Sequence, residues 1–396
     1  MSAAPVPHVA GALVGAAAFV STVLAVAPTP DQEGASTGEP VPVELGRVDW
    51  VRDLDRGIER SRETGKPILL MFQEVPGCEA CVHFGETALS HPLLVDTIEA
   101  EYVPVCILNS VEGADREVLD SFGEAPWNFQ SLRVIDAERK DLVKRTDTLR
   151  TPNMLALWLE HGFEARDREV PKYLAVAVEE TYREDHPQRF SVAAFAMHCY
   201  WVGEQKLGGI DGVVATRAGW IGDREVVEVD FDHTIVPYEK LLASAAELDC
   251  LDTIYAYDHA QSRIARKHHD GRVEELVQAP RGVEAKEQFH QLRLLPLGHL
   301  PLTVMQQTKL NAAVVFDAEG RPSLPDAARA ILTPGQLALL ARFEVAAPIF
   351  TKAYPDSYPP VAPGALATYA DTFEQHLVLA EGLICTSGDA PATDGR

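Results

Sequence analysis

The sequence predicts a mixed α+β fold in which an α/β domain is followed along the chain by an α+β sandwich. Three observations support this prediction. A length of 396 residues suits two or three domains. In the first third, two apolar segments flank a Cys-x-x-Cys motif in the order strand, helix, strand. From Arg189 onwards, strand and helix patterns alternate again around a single cysteine, Cys199.

The N-terminal segment, residues 1–47, carries two signals. Val9–Ala27 has no charged residue and is long enough for a membrane span or a signal sequence, and Ala25-Val26-Ala27 fits a small-x-small cleavage site. The following Pro/Gly/Glu-rich tract is typical of a disordered linker. We therefore expect a signal- or anchor-like segment and a cell-envelope location, periplasmic or membrane-anchored. The alternative is a disordered N-terminus on a cytoplasmic protein.

Composition bounds the class of protein. With 46% hydrophobic and 24% charged residues, the chain has ample material for cores. Its net charge of −24 argues against a nucleic-acid-binding protein, which needs basic patches. Six cysteines in this length do not indicate a disulfide-stapled scaffold.

The first domain is expected over residues 48–150. Its predicted elements are a helix at 54–64, a strand at 66–73, helices beginning at Cys78 and Leu93, and strands at 102–109 and 132–136. This order is that of a thioredoxin-like βαβ unit. The segment resembles a thioredoxin-like domain, with Val75-Pro76-Gly77-Cys78 in place of the usual Trp-Cys-Gly-Pro. Family spacing then makes Pro126 the candidate cis-proline.

Cys78 and Cys81 are interpreted as a redox dithiol, because a cysteine at a helix start has a lowered pKa and its partner lies within bridging distance. A zinc site would need a second ligand pair, and c-type haem attachment would need histidine where Val82 stands. The sequence thus predicts no metal site. An inert cysteine pair remains the alternative interpretation. Cys106, in an apolar strand, is expected to be a core residue.

Residues 151–188 are predicted to form a linker helix, centred on 170–184. The second domain is expected over 189–300. Its predicted elements are strands at 190–198, 213–218, 225–231 and 253–257, with helices at 202–209, 238–248 and 260–268. Cys199 lies where the first strand meets the first helix, so helix amides favour its thiolate form. Tyr200 and Trp201 supply aromatic walls suited to a methyl group. The alternative for Cys199 is a buried structural cysteine.

A family resemblance rests on this segment. Cys199-Tyr200-Trp201 followed by Glu204 is similar to the Cys-Phe-Trp signature of A-type peptide methionine sulfoxide reductases, and the similarity continues through 212–220, 224–232 and 235–242. The resemblance implies a ferredoxin-like (split βαβ) α+β sandwich.

The resemblance also implies a chemistry. The Cys199 thiolate would attack the sulfoxide sulfur of methionine-(S)-sulfoxide, leaving a sulfenic acid that thiols then reduce. Glu225 would donate the proton, and Tyr200, Trp201 and Trp220 would bind the substrate. Cys78 and Cys81 would recycle Cys199 directly or through Cys250 as a resolving cysteine.

Such an enzyme needs no cofactor other than a thiol reductant, either the internal dithiol or a thioredoxin-type protein. Its expected partners are oxidised peptides or proteins that contain methionine sulfoxide. Two alternatives stay open. One is a thioredoxin-like thiol–disulfide reductase with a degenerate second domain, and the other is a non-catalytic binding or envelope protein.

The chain departs from the family pattern at three places. Gly219-Trp220-Ile221-Gly222-Asp223 replaces Gly-Tyr-Ala-Gly-Gly, so an indole N–H stands where the tyrosine binds the oxygen. The segment between this motif and the glutamate is missing. The Gln-Gly-x-Asp-x-Gly-x-Gln-Tyr-Arg loop is also absent, and no motif maps Asp249 or Asp252 onto its aspartate. Glu204 is interpreted as a first-turn residue favoured by the helix dipole. Residues 301–387 are expected to form a C-terminal helical extension, and 388–396 a disordered tail.

Overall fold

The computed structural model describes residues 41–127 and 130–342. Most of the predicted signal- or anchor-like segment, the second half of the predicted helical extension and the tail at 388–396 lie outside the described residues. Among the helices in these two ranges, none is both long and apolar enough to cross a bilayer.

The first sheet forms beside the Cys-x-x-Cys motif. Its strands are β1 (Ile68–Gln73), β2 (Val103–Leu108), β3 (Gln130–Ile135) and β4 (Asp141–Thr146), and its helices are α1 (Leu54–Thr64), α2 (Glu79–Glu86), α3 (Pro92–Glu101) and α4 (Ala114–Ser121). The strand order is β2-β1-β3-β4, with β1 parallel to β2 and antiparallel to β3. All six β1 residues are buried, as its apolar run predicts. The dithiol therefore follows the most deeply buried strand pair.

One expectation for this domain is wrong. In the part of the chain that the structure describes, the cis peptide bond is Val75–Pro76, so the bond before Pro126 is trans. Family spacing alone had pointed to Pro126, and it placed the cis-proline in the wrong loop. Pro76 instead lies in the turn that carries Cys78.

The segment 151–188 differs from the predicted linker helix. It forms two helices, α5 (Pro152–Glu164) and α6 (Lys172–Asp185). Leu155, Leu159, Phe163 and Leu174 are fully buried in the core of the first sheet. Asn153 joins the helices, since its Nδ2 donates to Val178 O at 2.9 Å. These helices are thus packed elements of the first domain's core.

The second sheet carries Cys199. Its elements are β5 (Phe190–Met197), α7 (Tyr200–Gly208), β6 (Val213–Ile221), β7 (Arg224–Asp232), α8 (Tyr238–Ala246), β8 (Leu251–Ala256), α9 (His259–His268), β9 (Arg272–Glu275) and β10 (Arg281–Gly282). Within the described ranges the strand order is β10-β6-β7-β5-β8-β9. The β5–β7, β6–β7 and β5–β8 pairs are all antiparallel. The predicted succession of strands and helices is therefore observed.

The chain after the second sheet packs on both cores. Its elements are α10 (His290–Arg293), α11 (Val304–Ala313), β11 (Val315–Phe316), β12 (Pro322–Ser323) and α12 (Asp326–Arg329), and residues 334–342 are helical. Thr333 caps the last of these, its hydroxyl accepting from Gln336 N at 3.1 Å. Met305 packs in the first core, and Lys309 Nζ donates to Gly208 O at 3.2 Å in the second domain. This segment therefore holds the two domains together.

Candidate functional site

The first candidate site is the dithiol at the start of α2. Cys78 is the N-cap residue of α2 and is exposed, whereas Cys81 lies one turn in and is buried. Their sulfur atoms are 3.3 Å apart. A short closing movement would bring them to the distance of about 2 Å that a disulfide requires. One thiol is thus presented to solvent and the other is kept behind it.

The two thiols differ in acidity. The backbone amide of Cys81 donates to the Cys78 sulfur and lowers the pKa of Cys78. Burial raises the pKa of Cys81 to about 12, and its hydrogen bond with Cys78 adds to the shift. Cys78 is therefore the more accessible and the more acidic thiol of the pair.

A third side chain joins this pair. Glu74 follows β1 directly, and its Oε2 lies 4.0 Å from the Cys81 sulfur. One ligand atom from each of Glu74, Cys78 and Cys81 lies within 4.8 Å of the others, so the three could hold a metal ion. Sequence reasoning missed Glu74, because a lone glutamate four positions before a Cys-x-x-Cys motif, with no second ligand pair after it, matches no common zinc spacing.

The second candidate site is Cys199, which the structure places where the sequence predicts it. Cys199 is the half-buried N-cap residue of α7 and directly follows β5 and His198. It lines a hollow of about 540 Å³. Its neighbours there are Tyr200, Trp201, Trp220, Glu225, Arg281, Val283, Glu284, Lys286 and Glu287.

Glu225 faces this end of α7. Its Oε2 accepts a hydrogen bond of 2.7 Å from the backbone N–H of Tyr200. Since Tyr200 is the first residue of the helix, that amide has no partner inside α7. The bond fixes the carboxyl beside the cysteine, in the same hollow.

The three predicted aromatic residues form one wall. The Tyr200 ring packs edge-on against Trp201 at 5.9 Å and against Trp220 at 5.8 Å. Trp201 also stacks on His290, with ring centres 3.8 Å apart and planes 9° apart. Such fixed rings give an apolar surface for a small group such as a methyl.

Cys250, the predicted resolving cysteine, lies beside Cys199. His198 N donates to Cys250 O at 2.8 Å, so the cysteines stand on adjoining backbone segments. Burial raises the pKa of Cys250, and the neighbouring Cys199 charge raises it further. Of the two aspartates considered near this site, Asp252 faces Arg224, with 3.6 Å between carboxylate and guanidinium.

The charged part of the lining was missed by the sequence reasoning. It consists of Arg281, Glu284, Lys286 and Glu287, and β10 pairs with β6 there, with Arg281 as the cross-strand neighbour of Trp220. A segment beyond the family-like motifs thus lines the same hollow as the aromatic residues.

Glu204 differs most from its expected role. It lies in the second turn of α7, fully buried, and its Oε2 accepts from Phe289 N at 2.9 Å. Burial raises its pKa to about 8. It is thus a buried carboxyl beneath the site, and the predicted first-turn surface role is wrong. Its spacing from Tyr200 and Leu207, which share the buried face, was a readable signal.

Comparison with known proteins supports the first site. Residues 49–126 match a family model described as thioredoxin-like. Among solved structures, a DsbH oxidoreductase is similar at 17% identity and a TM-score of 0.26, over 34% of this chain and 96% of that one. Curated proteins gave no match. The chain therefore carries a thioredoxin-like domain, and the matched residues include the Cys78–Cys81 pair.

Proposed function

We propose that this protein is a thiol-dependent oxidoreductase that reduces methionine-(S)-sulfoxide in peptides or proteins at Cys199. The shared hollow of Cys199 and Glu225, with the carboxyl held by the Tyr200 amide, is the observation that carries the proposal. Sulfoxide reduction needs a nucleophile at sulfur, a proton source for oxygen and an apolar place for the methyl group. These three features meet in one hollow.

The sheet supports the same proposal. The order β6-β7-β5-β8 is antiparallel throughout, and α7 and α8 follow β5 and β7. This strand order is compatible with the split βαβ arrangement that the resemblance to A-type methionine sulfoxide reductases implies. In this proposal the Trp220 indole N–H would take the role of that family's tyrosine, and residues 281–287 would supply part of the lining of the hollow.

The chemistry balances as an oxygen transfer. The Cys199 sulfur attacks the sulfoxide sulfur while Glu225 protonates the oxygen. The oxygen ends on Cys199 as a sulfenic acid, and the substrate leaves as the thioether. The Cys250 thiol then displaces water from the sulfenic acid and forms a disulfide. The Cys78–Cys81 dithiol, or a thioredoxin-type protein, reduces that disulfide by exchange, with no organic cofactor.

Substitution at the nucleophile and the acid tests this proposal. With dithiothreitol as reductant, Cys199→Ser should lower the rate of methionine-(S)-sulfoxide reduction roughly 10³-fold or more, because the nucleophile is lost. Glu225→Gln should lower it roughly 10²–10⁴-fold, the range for loss of a general acid. The exposed Glu239→Gln is the matched control. Equal rates of sulfoxide reduction for wild type and Cys199→Ser, or no reduction by either, would contradict the proposal.

The first domain alone supports a second candidate function, general thiol–disulfide reduction. The observation that favours it is the exposed, acidified Cys78 in front of the buried Cys81, within a thioredoxin-like domain. In an insulin-disulfide assay, Cys78→Ser should abolish reduction, whereas Cys199→Ser should leave it unchanged. Retained reduction in Cys78→Ser would exclude this candidate. Success here with no sulfoxide reduction would make this the main activity.

A further inference from the structure

The dithiol end of the first domain is also arranged as a ligand set. Glu74 Oε2, Cys78 Sγ and Cys81 Sγ come from one turn between β1 and α2. The two sulfur atoms are 3.3 Å apart, and the Cys81 sulfur is 4.0 Å from Glu74 Oε2. Thiolates and a carboxylate together are a donor set that suits Zn²⁺.

These distances approach those of a tetrahedral site. With Zn–S bonds of about 2.3 Å and Zn–O bonds of about 2.1 Å, a tetrahedral site places two sulfurs about 3.8 Å apart and sulfur and oxygen about 3.6 Å apart. The Cys78–Cys81 and Cys81–Glu74 separations differ from these by about half an ångström or less, and the Glu74 and Cys78 ligand atoms lie within 4.8 Å of one another. Small rotations of the three side chains would bring their ligand atoms to one centre.

The surrounding backbone holds the turn in place. Gly77 N donates to Glu44 Oε1 at 2.7 Å, and Gln73 Nε2 donates to Glu44 O at 2.8 Å. A Cβ at Gly77 would lie 2.5 Å from the Cys81 Cβ, so only glycine permits this close approach. The ligands are therefore presented by a fixed turn, which lowers the entropy cost of binding.

We propose that Glu74, Cys78 and Cys81 bind a thiophilic divalent cation such as Zn²⁺ when the pair is in the dithiol state. Cys81 closes the inner side of the site, whereas Cys78 is exposed, so the fourth ligand position faces solvent. Zinc with three protein ligands and an open position is a familiar coordination.

Cation binding and the disulfide exclude each other. Both thiolates must donate to the cation, and a disulfide has no thiolate to offer. A bound cation would therefore keep the pair reduced and protect it from alkylation and oxidation. This regulation acts on the dithiol of the proposed function, although binding itself does not depend on any turnover.

Equilibrium metal titration of the reduced full-length protein tests the site. Zn²⁺ should bind with one-to-one stoichiometry in competition with a chromophoric chelator, and Co²⁺ should give a thiolate-to-metal charge-transfer band. Cys78→Ser should remove the band. Glu74→Gln should weaken Zn²⁺ binding at least roughly 10–100-fold. That range is the cost of losing a group that only hydrogen-bonds to a metal ligand, and Glu74 is proposed to be a ligand itself. Glu79→Gln, an exposed glutamate in the first turn of α2, is the matched control and should bind as the wild type does.

Three results would overturn the proposal. Glu74→Gln could bind as tightly as Glu79→Gln, the disulfide form could bind as tightly as the dithiol, or the band could disappear in Cys199→Ser but persist in Cys78→Ser. Near-UV circular dichroism of each variant verifies that it is folded. Because no substrate is consumed, failure here is distinct from failure of sulfoxide or disulfide reduction.

Discussion

Glu204 is a buried carboxyl in α7 whose surroundings decide whether it carries a charge near Cys199. Its Oε2 accepts the Phe289 amide, and the backbone of Ala218 adds a second donor, yet Oε1 is buried with no hydrogen-bond partner among the described residues. Burial therefore outweighs these donors and raises the pKa to about 8. At neutral pH this carboxyl is mainly protonated, so it adds no negative charge beneath Cys199.

The raised pKa predicts a pH dependence of stability. A carboxyl with an unfolded pKa of 4.5 and a folded pKa of about 8 stabilises the folded state fully below pH 4.5, and this contribution is lost as pH rises through 8. Between these values the free energy of unfolding should fall by about 1.4 kcal/mol per pH unit from this group alone. Glu204→Gln should remove that slope, as measured by urea unfolding at pH 5.5, 6.5 and 7.5. The exposed Glu247→Gln should keep the wild-type slope, and parallel curves for Glu204→Gln and wild type would contradict this prediction.

At the same scale, motif residues were easier to predict than their surroundings. Cys199 was predicted from its position at a strand-to-helix junction, and Glu225 from its match to the family's glutamate before a Val-Val strand. The facing residues, such as Glu287, come from a distant loop whose pairing with β6 has no local signature. Glu74 was missed for a related reason, since its approach to Cys81 depends on how the turn after β1 folds back.

At the scale of elements, helices with an amphipathic pattern were predicted well from the sequence, whereas a uniformly apolar helix was not. The helices α1 and α6 have a clear polar face, and both were predicted close to their observed bounds. The helix α5 is apolar over most of its circumference, so it has little periodicity to detect. Its start was still readable, because Thr151 caps it and Pro152 occupies its first position.

At the scale of the whole molecule, α6 and the C-terminal segment connect the two sheets. Leu174 and Ala177 of α6 are fully buried in the first core, while Arg183 of the same helix pairs with Asp230 of β7. Asp96 of α3 accepts from Thr333. Because contacts of this kind connect the first and second domains, we expect the two sheets to unfold together.

Asp230 is the residue through which this coupling is tested. Its side chain is 1% exposed and accepts a two-point hydrogen bond from Arg217, at 2.7 and 2.9 Å, besides the Arg183 contact. Asp230→Asn leaves both guanidinium groups without their carboxylate. We expect the free energy of unfolding to fall by about 2–3 kcal/mol. This figure is already reduced for solvent screening, because the arginines are about 40% exposed. The exposed Asp223→Asn should change stability little.

Two probes report on the two sheets separately in this experiment. Amide hydrogen exchange read by mass spectrometry follows β5 and β7 of the second sheet, and pulse labelling of thiols follows Cys106, which is fully buried in the first sheet. If the sheets unfold together, Asp230→Asn lowers the urea midpoint of both signals equally, although Cys106 lies far along the chain from the substitution. If Cys106 stays protected at urea concentrations where hydrogen exchange shows the second sheet unfolded, the domains are independent. In that case the contacts of α6 position the two sheets, but each sheet unfolds at its own urea concentration.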